Sequence, residues 1–91
     1  IKWLIPESNE KEMEPILLTL EREGQYKQFT PSLSETFIHV LEGKIALQFG
    51  ETLYEAKKGE SIYYEASKPH RLQNQASGIS KVLIVATESY L

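Results

Sequence analysis

Short segments rich in β-branched and aromatic residues, each followed by turn residues, recur from one end of this chain to the other. Thr36–Leu41 and Lys81–Thr87 are the strongest, and both have a composition typical of strands. Met13–Glu21 could be a helix by composition, but Pro15 disfavours one, and the apolar alternation that starts at Ile16 favours a strand. Strands at roughly regular spacing without crossover helices predict an all-β sandwich or barrel of antiparallel strands.

The predicted strands are, in chain order, Lys2–Ile5, Met13–Glu21, Tyr26–Phe29, Thr36–Leu41, Lys44–Phe49, Thr52–Ala56, Ser61–Tyr64, His70–Asn74 and Lys81–Thr87. The last of them is the most apolar, so we expect it at the centre of a sheet. Glu42-Gly43 and Gly50-Glu51 each predict a tight hairpin turn between the flanking strands. Pro6 ends the first strand, and Glu7–Glu14 is expected to be a solvated polar turn.

Composition narrows the classes of partner. Thirteen acidic residues, all glutamate, outweigh ten scattered bases and give a formal net charge of −3. A nucleic-acid surface needs a clustered basic face, so this domain alone is not expected to bind DNA or RNA. No apolar run approaches the ~20 residues of a membrane span, and there is no cysteine for a disulfide or thiolate site. We therefore expect a cytoplasmic protein without a membrane partner.

Three motifs carry a resemblance to a known family: Glu35–Gly43, Gly59–Tyr64 and Pro69–Asn74. Together they resemble the cupin family, most closely the small cupin domains that follow a helix-turn-helix in bacterial transcriptional regulators. The resemblance spans roughly residues 12 to 90 and implies a small antiparallel double-stranded β-helix, a jelly-roll barrel. We expect residues 1–91 to form one such domain. Because the chain begins at Ile1 rather than Met, we expect that an N-terminal portion is missing, and the resemblance implies that this portion carries a helix-turn-helix.

The resemblance also implies where a metal would bind. Family metal sites use two histidines one residue apart, then a glutamate, then a late histidine, and here only His70 matches. Thr36 stands in the glutamate position, and Phe29–Ser32 contains no histidine. Glu35 is one residue away, which in a strand points it to the opposite face. One imidazole binds a divalent metal weakly, so we expect neither a cofactor nor enzymatic activity.

A metal-free cavity with a few convergent polar groups remains as the candidate site. Strand alternation places His70, Leu72 and Asn74 on one face and Thr36, Ile38 and Val40 on the corresponding inward face. The candidate ligand-binding residues are His70, Asn74, Thr36, Ile38, Tyr63 and Phe29. His70 is either a hydrogen-bonded structural residue or the polar anchor of the pocket, since a neutral imidazole can donate and accept at once.

On the outer face, Phe37, His39 and Leu41 point away from the interior and predict a sheet or dimer contact. The expected function is that of a ligand-sensing and dimerisation domain of a bacterial transcriptional regulator. Its partners would be a small-molecule effector, a second copy of the chain, and DNA through the helix-turn-helix. The alternatives are a small metal-dependent cupin enzyme, an isomerase or dioxygenase, and a dimerisation module that binds no ligand.

Overall fold

The structure is a computed structural model that describes residues 1–4, 12–88 and 90–91. Its strands are β1 (Lys2–Trp3), β2 (Glu14–Leu20), β3 (Tyr26–Phe29), β4 (Glu35–Glu42), β5 (Lys44–Phe49), β6 (Thr52–Lys57), β7 (Ser61–Glu65), β8 (His70–Asn74) and β9 (Ser80–Ala86). The predicted turn at Glu7 to Lys11 and the stop at Pro6 lie outside the described residues. Within the described ranges there is no helix, and hence none long and apolar enough to cross a membrane.

Two antiparallel sheets face each other. The larger has the strand order β1-β2-β9-β4-β7, and the smaller has the order β3-β8-β5-β6. β9 lies between β2 and β4, so the prediction that the most apolar strand is central is confirmed. The prediction of an all-β antiparallel jelly roll is confirmed as well. The region around Pro15 is a strand and not a helix, because its apolar side chains alternate between core and surface.

One predicted hairpin is wrong. Glu42-Gly43 joins β4 to β5, but β4 pairs with β7 and β9, whereas β5 pairs with β6 and β8. The chain therefore crosses from one sheet to the other at this turn. Gly43 has a φ of +83°, which suits many tight turns, so the dipeptide alone does not say which strand follows as a neighbour. The Gly50-Glu51 turn does close a hairpin, with Phe49 opposite Thr52.

The centre of the sandwich is filled by aliphatic residues aligned across the strands. In the larger sheet, Ile38 is the partner of Ile84 and of Ile62, and Ile84 is the partner of Ile16. In the smaller sheet, the fully buried Leu47 and Leu72 are partners. Burying each such side chain stabilises the fold by about 1.5–3 kcal/mol. This apolar layer separates two ends of the interior whose polar residues differ.

Candidate functional site

The candidate site begins with a row of inward side chains across the larger sheet. Thr36 is the partner of Tyr64 on one side and of Ala86 on the other, and Ala86 is also the partner of Glu14. Thr36 and Glu14 are buried, with Glu14 only 1% exposed. A carboxyl, an aliphatic hydroxyl and a phenol therefore project from three strands at the same level of the barrel.

An aromatic row of the smaller sheet faces this polar row. His70 is the partner of Phe29 on one side and of Phe49 on the other. The rings of His70 and Phe29 are stacked, with 5.1 Å between their centroids. Tyr64 from the opposite sheet presents its edge to His70 at 5.2 Å. The imidazole is thus enclosed by rings from both sheets.

Tyr90, which follows the last strand, completes the site from the C-terminal segment. Its hydroxyl lies 2.7 Å from the Oγ1 atom of Thr36 and 3.3 Å from the Nε2 atom of His70. Its ring is edge-on to Phe29 and to His70, with centroid distances of 6.1 and 5.8 Å. A single phenolic oxygen therefore links the two sheets at this level.

The partners of His70 determine where the protons lie. Its Nδ1 is 2.9 Å from the carbonyl oxygen of Lys68, and a carbonyl only accepts, so Nδ1 carries the hydrogen. Burial lowers the pKa of His70 from its ordinary value, an effect that the Lys68 hydrogen bond partly opposes. In the neutral ring Nε2 is an acceptor, so Tyr90 donates to His70 and Thr36 donates to Tyr90.

The phenols of this layer stay protonated at neutral pH. Burial raises the pKa of Tyr64 well above its ordinary value. The pKa of Tyr90 is raised too, mainly by burial, with the nearby Glu14 carboxylate adding to the effect. Both tyrosines are therefore hydrogen-bonding groups and not anionic ligands.

Two buried polar atoms of this layer have no hydrogen-bond partner among the described residues. They are the Oε2 atom of Glu14 and the hydroxyl of Tyr64. The other carboxylate oxygen of Glu14 accepts a hydrogen bond of 3.2 Å from the backbone N–H of Leu91. Since buried polar groups are nearly always paired, both atoms are suited to meet polar groups of a bound molecule.

The structure brings three of the sequence-predicted residues together at this level, namely His70, Thr36 and Phe29. Ile38 lies one layer below, fully buried among the aligned isoleucines. It therefore belongs to the apolar centre on which the site rests.

The placement of Tyr63 in the interior is wrong. Tyr63 is 63% exposed on the outer face of β7, opposite Phe37 of β4. Ile62 and Tyr64 are the inward residues of this strand, because they pair with the inward Ile38 and Thr36. The alternation of Ile62 with Ser61 and Tyr63 is the sequence signal that identifies Tyr64 as the inward tyrosine.

Asn74 shares the inward face of β8 with His70, as predicted, but it does not belong to the same site. Four residues of strand separate the two, which is about 13 Å. Its Nδ2 donates to the carbonyl oxygens of Leu20, Arg22 and Gly78, at 3.3, 2.9 and 2.7 Å. Its Oδ1 accepts from the Ala76 N–H and the Ser80 hydroxyl, at 2.9 and 2.7 Å. The amide is fully used in holding loops together.

Sequence reasoning missed Glu14 and Tyr90. Glu14 was expected in a solvated turn, but it is the first residue of β2 and faces inward with Ile16, Leu18 and Leu20. The two-residue alternation of that strand was the signal for its burial. Tyr90 lies beyond the last strand, where no periodicity extends, so no local pattern places its ring in the site.

A family model described as a cupin domain matches residues 22–86, which is more than half of the chain. The chain belongs to the cupin family. No curated protein matches this cupin in sequence. In the family, the resemblance described above places metal ligands at the positions of Thr36 and His70, and these are the two residues that the Tyr90 hydroxyl joins.

Several solved structures share this cupin fold. The cupin domain of an XRE family transcriptional regulator from Enterobacter cloacae has a TM-score of 0.83 at 16% identity, over 93% of this chain and 90% of that one. An HTH_3 family transcriptional regulator from Vibrio cholerae has a TM-score of 0.80 at 23% identity, over 93% of this chain and 48% of that one. This cupin therefore spans about half the length of the second regulator.

A protein from Thermus thermophilus, TT1209, is similar as well, with a TM-score of 0.77 at 24% identity, over 96% of this chain and 84% of that one. At identities this low, the similarity shows that these proteins share the fold of this cupin, and nothing more.

The donors of this cupin do not fit the metal that the family implies. The site offers one imidazole, that of His70, and one carboxylate, that of Glu14, beside three neutral hydroxyls. Across the described ranges, no three His, Cys, Asp or Glu side chains converge. A divalent transition metal needs three or four such ligands at about 2.0–2.3 Å, so the site lacks the donors to hold one.

Proposed function

We propose that this chain is the effector-sensing and dimerisation domain of a bacterial transcriptional regulator, acting in the cytoplasm. The effector is a small molecule that binds in the cupin interior without a metal. DNA is bound by a helix-turn-helix domain outside this chain. The resemblance to cupin domains of XRE and HTH_3 family regulators supports the role, and so does the length of the Vibrio cholerae protein beyond its matched half.

One observation carries the sensing part of the proposal. The polar layer around Thr36, His70 and Tyr90 is enclosed by aromatic rings, and it holds hydrogen-bonding groups instead of a set of metal ligands. A buried site with a few convergent polar groups among apolar walls is typical of small-molecule recognition. The unpartnered oxygens of Glu14 and Tyr64 add to the groups that a ligand can satisfy.

The outer face of the larger sheet supports dimerisation. Phe37 and His39 of β4 lie on it with stacked rings, and the half-buried Leu83 and Val85 of β9 lie beside them. A depression of about 270 Å³ on the same face is lined by Ile1, Lys2, Leu17, Thr19, Leu41 and Lys81. Apolar and aromatic side chains in one continuous patch are characteristic of interfaces between subunits.

Sensing and dimerisation are coupled through the sheet that carries both features. Along β4, Thr36 faces the interior while its neighbour Phe37 faces outward. An effector that binds one arrangement of this strand better than another also shifts the outer face, and with it the relative position of the two subunits. Recognition helices of a dimer must lie about 34 Å apart on DNA, so a small shift changes operator affinity.

The test of sensing is a thermal-shift screen of this chain against a metabolite library and divalent metals. At a hundred times its dissociation constant, an effector adds about 2.7 kcal/mol of stability, which raises the melting temperature by on the order of 10 °C. A metal bound at one equivalent with micromolar affinity would favour the enzyme instead. If no compound stabilises the chain, the dimerisation module without a ligand is the better description.

The test of dimerisation is sedimentation velocity of Tyr63→Glu. A charge placed among the apolar residues of the outer face is expected to convert a dimer to a monomer. Leu53→Glu is the matched control, since Leu53 is 54% exposed on the outer side of the smaller sheet and should leave the dimer intact. A monomeric wild type, or equal effects of both variants, would contradict this interface.

A further inference from the structure

The strongest unassigned feature of the molecule is the Tyr90 side chain, because it fills the candidate site as a separate ligand would. We propose that Tyr90 occupies the effector position, and that the effector is a small phenol or aromatic alcohol whose ring and hydroxyl replace those of Tyr90. The inference rests on the proposed sensing function and specifies the chemical class of its ligand.

The hydrogen bonds select a hydroxyl group. The group at this position must donate to His70 Nε2, because the Lys68 carbonyl fixes the hydrogen of His70 on Nδ1, and it must form a hydrogen bond with the Thr36 hydroxyl, which can donate or accept. A hydroxyl does both through one oxygen. A carboxylate has no proton to give to His70, and an ammonium group, which could donate to both, would bring an additional charge among the surrounding rings.

The surrounding rings select an aromatic ligand. The rings of Phe29 and His70 contact the Tyr90 ring at centroid distances of 6.1 and 5.8 Å, which are typical of aromatic pairs, and Tyr64 packs against the His70 ring. The Tyr64 hydroxyl lies close to Tyr90 and Thr36 but has no partner of good hydrogen-bond geometry among the described residues. A second hydroxyl on the ligand ring would give this group a well-aligned partner.

Tyr90 is attached in a way that permits exchange. Before it, Thr87 is fastened to β4 through its backbone N–H to the Glu35 carbonyl oxygen, at 3.0 Å. Beyond that point, the hydrogen bonds of the described residues are those of the Tyr90 hydroxyl, of Glu88 N–H to Ser34 Oγ at 3.4 Å, and of Leu91 N–H to Glu14, and the side chains of Tyr90 and Leu91 pack against the core. Tyr90 lies outside the strand ladder, so its side chain can leave without breaking a strand pair.

The experiment removes the Tyr90 side chain by mutation and supplies the same chemical group as a free molecule in solution. In Tyr90→Ala, we expect p-cresol, which is the tyrosine side chain as a free molecule, to bind about tenfold or more tightly than toluene by calorimetry. The two compounds differ in the hydroxyl alone, and two neutral hydrogen bonds account for such a ratio. Thr36→Val in the same background removes one of the two bonds and should reduce the ratio several-fold, while the bond to His70 keeps it above one.

Tyr26→Ala is the matched control, because Tyr26 is an exposed tyrosine of β3 and its removal opens no interior space. This variant should bind neither compound better than the wild type does. Equal binding of p-cresol and toluene to Tyr90→Ala, or a ratio that is unchanged by Thr36→Val, would overturn the inference.

A second measurement uses the unmodified fold and applies even if Tyr90→Ala does not fold. The chain is labelled with 3-fluorotyrosine, and the Tyr90 fluorine resonance is assigned by its loss in Tyr90→Phe. Adding p-cresol should move the Tyr90 resonance toward its solvent-exposed position and leave that of Tyr26 unchanged. A Tyr90 signal that does not respond at saturating p-cresol would contradict the exchange.

The inference and the proposed function fail in different ways. If the screen finds an effector of the wild-type chain that p-cresol does not displace, sensing stands and the phenol class is wrong. If p-cresol enters as expected but no compound alters DNA binding by the full-length regulator, the site chemistry stands and the regulatory role is wrong.

Discussion

His70 and Asn74 lie on the same face of the same strand, both buried, yet they have opposite relations to the rest of the molecule. The side-chain amide of Asn74 forms hydrogen bonds with four backbone groups and with the Ser80 hydroxyl. Among the described residues, the imidazole of His70 has one backbone partner, the Lys68 carbonyl, and its second nitrogen bonds to the Tyr90 hydroxyl. One end of the barrel is closed by its own loops, and the other is closed by a replaceable group.

Burial of a polar residue is therefore not sufficient to identify a binding site. At the Asn74 end, every donor and acceptor of that side chain has a partner within the fold. At the His70 end, Glu14 Oε2 and the Tyr64 hydroxyl remain without partners among the described residues. Unpaired buried polar groups lower the stability of the fold. Their presence at one end therefore indicates where a ligand can form hydrogen bonds that the protein itself does not make.

The largest expected effect on stability is at the Asn74 end of the barrel. Asn74→Ala removes the partners of three carbonyl oxygens, one N–H and the Ser80 hydroxyl, and we expect a loss of about 4 kcal/mol in the free energy of unfolding. Urea denaturation measures it. Ser80→Ala removes one member of the same network and should cost about 1–2 kcal/mol. A single hydrogen bond contributes about 1 kcal/mol of net stability. A smaller loss than this for Asn74→Ala would show that the Asn74 end is not the rigid end of the barrel.

The next effect concerns the turn that packs on this network. Gly43 and Gly59 have similar positive φ angles, +83° and +89°, but only Gly43 is crowded. A Cβ at Gly43 would meet Ser80, whereas one at Gly59 meets nothing within 4 Å. Gly59→Ala should cost about 1 kcal/mol from backbone strain, and Gly43→Ala about 3 kcal/mol because overpacking is added. Equal losses in thermal unfolding would contradict the packing of Gly43 on Ser80.

A smaller effect on stability is expected at the His70 end of the barrel. Thr36→Val removes one side of the hydroxyl pair at 2.7 Å and should cost about 1 kcal/mol, whereas Tyr90→Phe also removes the bond to His70 and should cost about 2 kcal/mol. Because both act on the same bond, the double variant should cost less than the sum, with a coupling energy of about 1 kcal/mol. Additive losses in the double-mutant cycle would mean that the two hydroxyls do not interact.

The smallest effect is on the pH dependence of stability. Burial lowers the pKa of His70 in the folded state below the ordinary value of 6.5, while the unfolded chain keeps that value. Below pH 6.5 the unfolded state therefore binds the extra proton first, and stability falls as the pH drops toward the folded-state pKa. The neighbouring phenols of Tyr64 and Tyr90 do not change charge in this range.

His70→Gln should flatten the stability profile between about pH 7.5 and pH 5, the range around the ordinary pKa of histidine. His39→Gln is the control, since His39 lies on the outer face beside Ser61. Chemical denaturation at several pH values measures the free energy of unfolding of both variants. If the pH profile of His70→Gln equals that of the wild type, a group other than His70 causes the loss of stability at low pH.

Much of the fold followed from two-residue alternation. It predicted the inward faces of β4 and β8, because side-chain direction in a strand is a local property. The apolar composition of β9 predicted its central position. The Glu42-Gly43 turn did not reveal its strand partners, because these are chosen by contacts between distant residues. Gly43 packs against the Ser80 region, and the Lys44 N–H donates to the Ser80 hydroxyl.

The site was predicted in part for the same reason. Thr36, His70 and Phe29 could be predicted because strand alternation and the family motif placed them on inward faces. Tyr90 could not be predicted, because no repeating pattern governs a residue beyond the last strand. The inward tyrosine of β7 is Tyr64 and not Tyr63, and the apolar Ile62 on the same face indicated the correct phase.

The position of β9 also determines when the fold can form in a cell. β9 separates β2 from β4, so the larger sheet stays incomplete until Ala86 has left the ribosome. Until then the nascent chain exposes the apolar faces of β2 and β4, which are sites for chaperone binding and for aggregation. Pairing between segments so far apart in sequence is also slow. The larger sheet of this domain is therefore completed only once β9 has been translated.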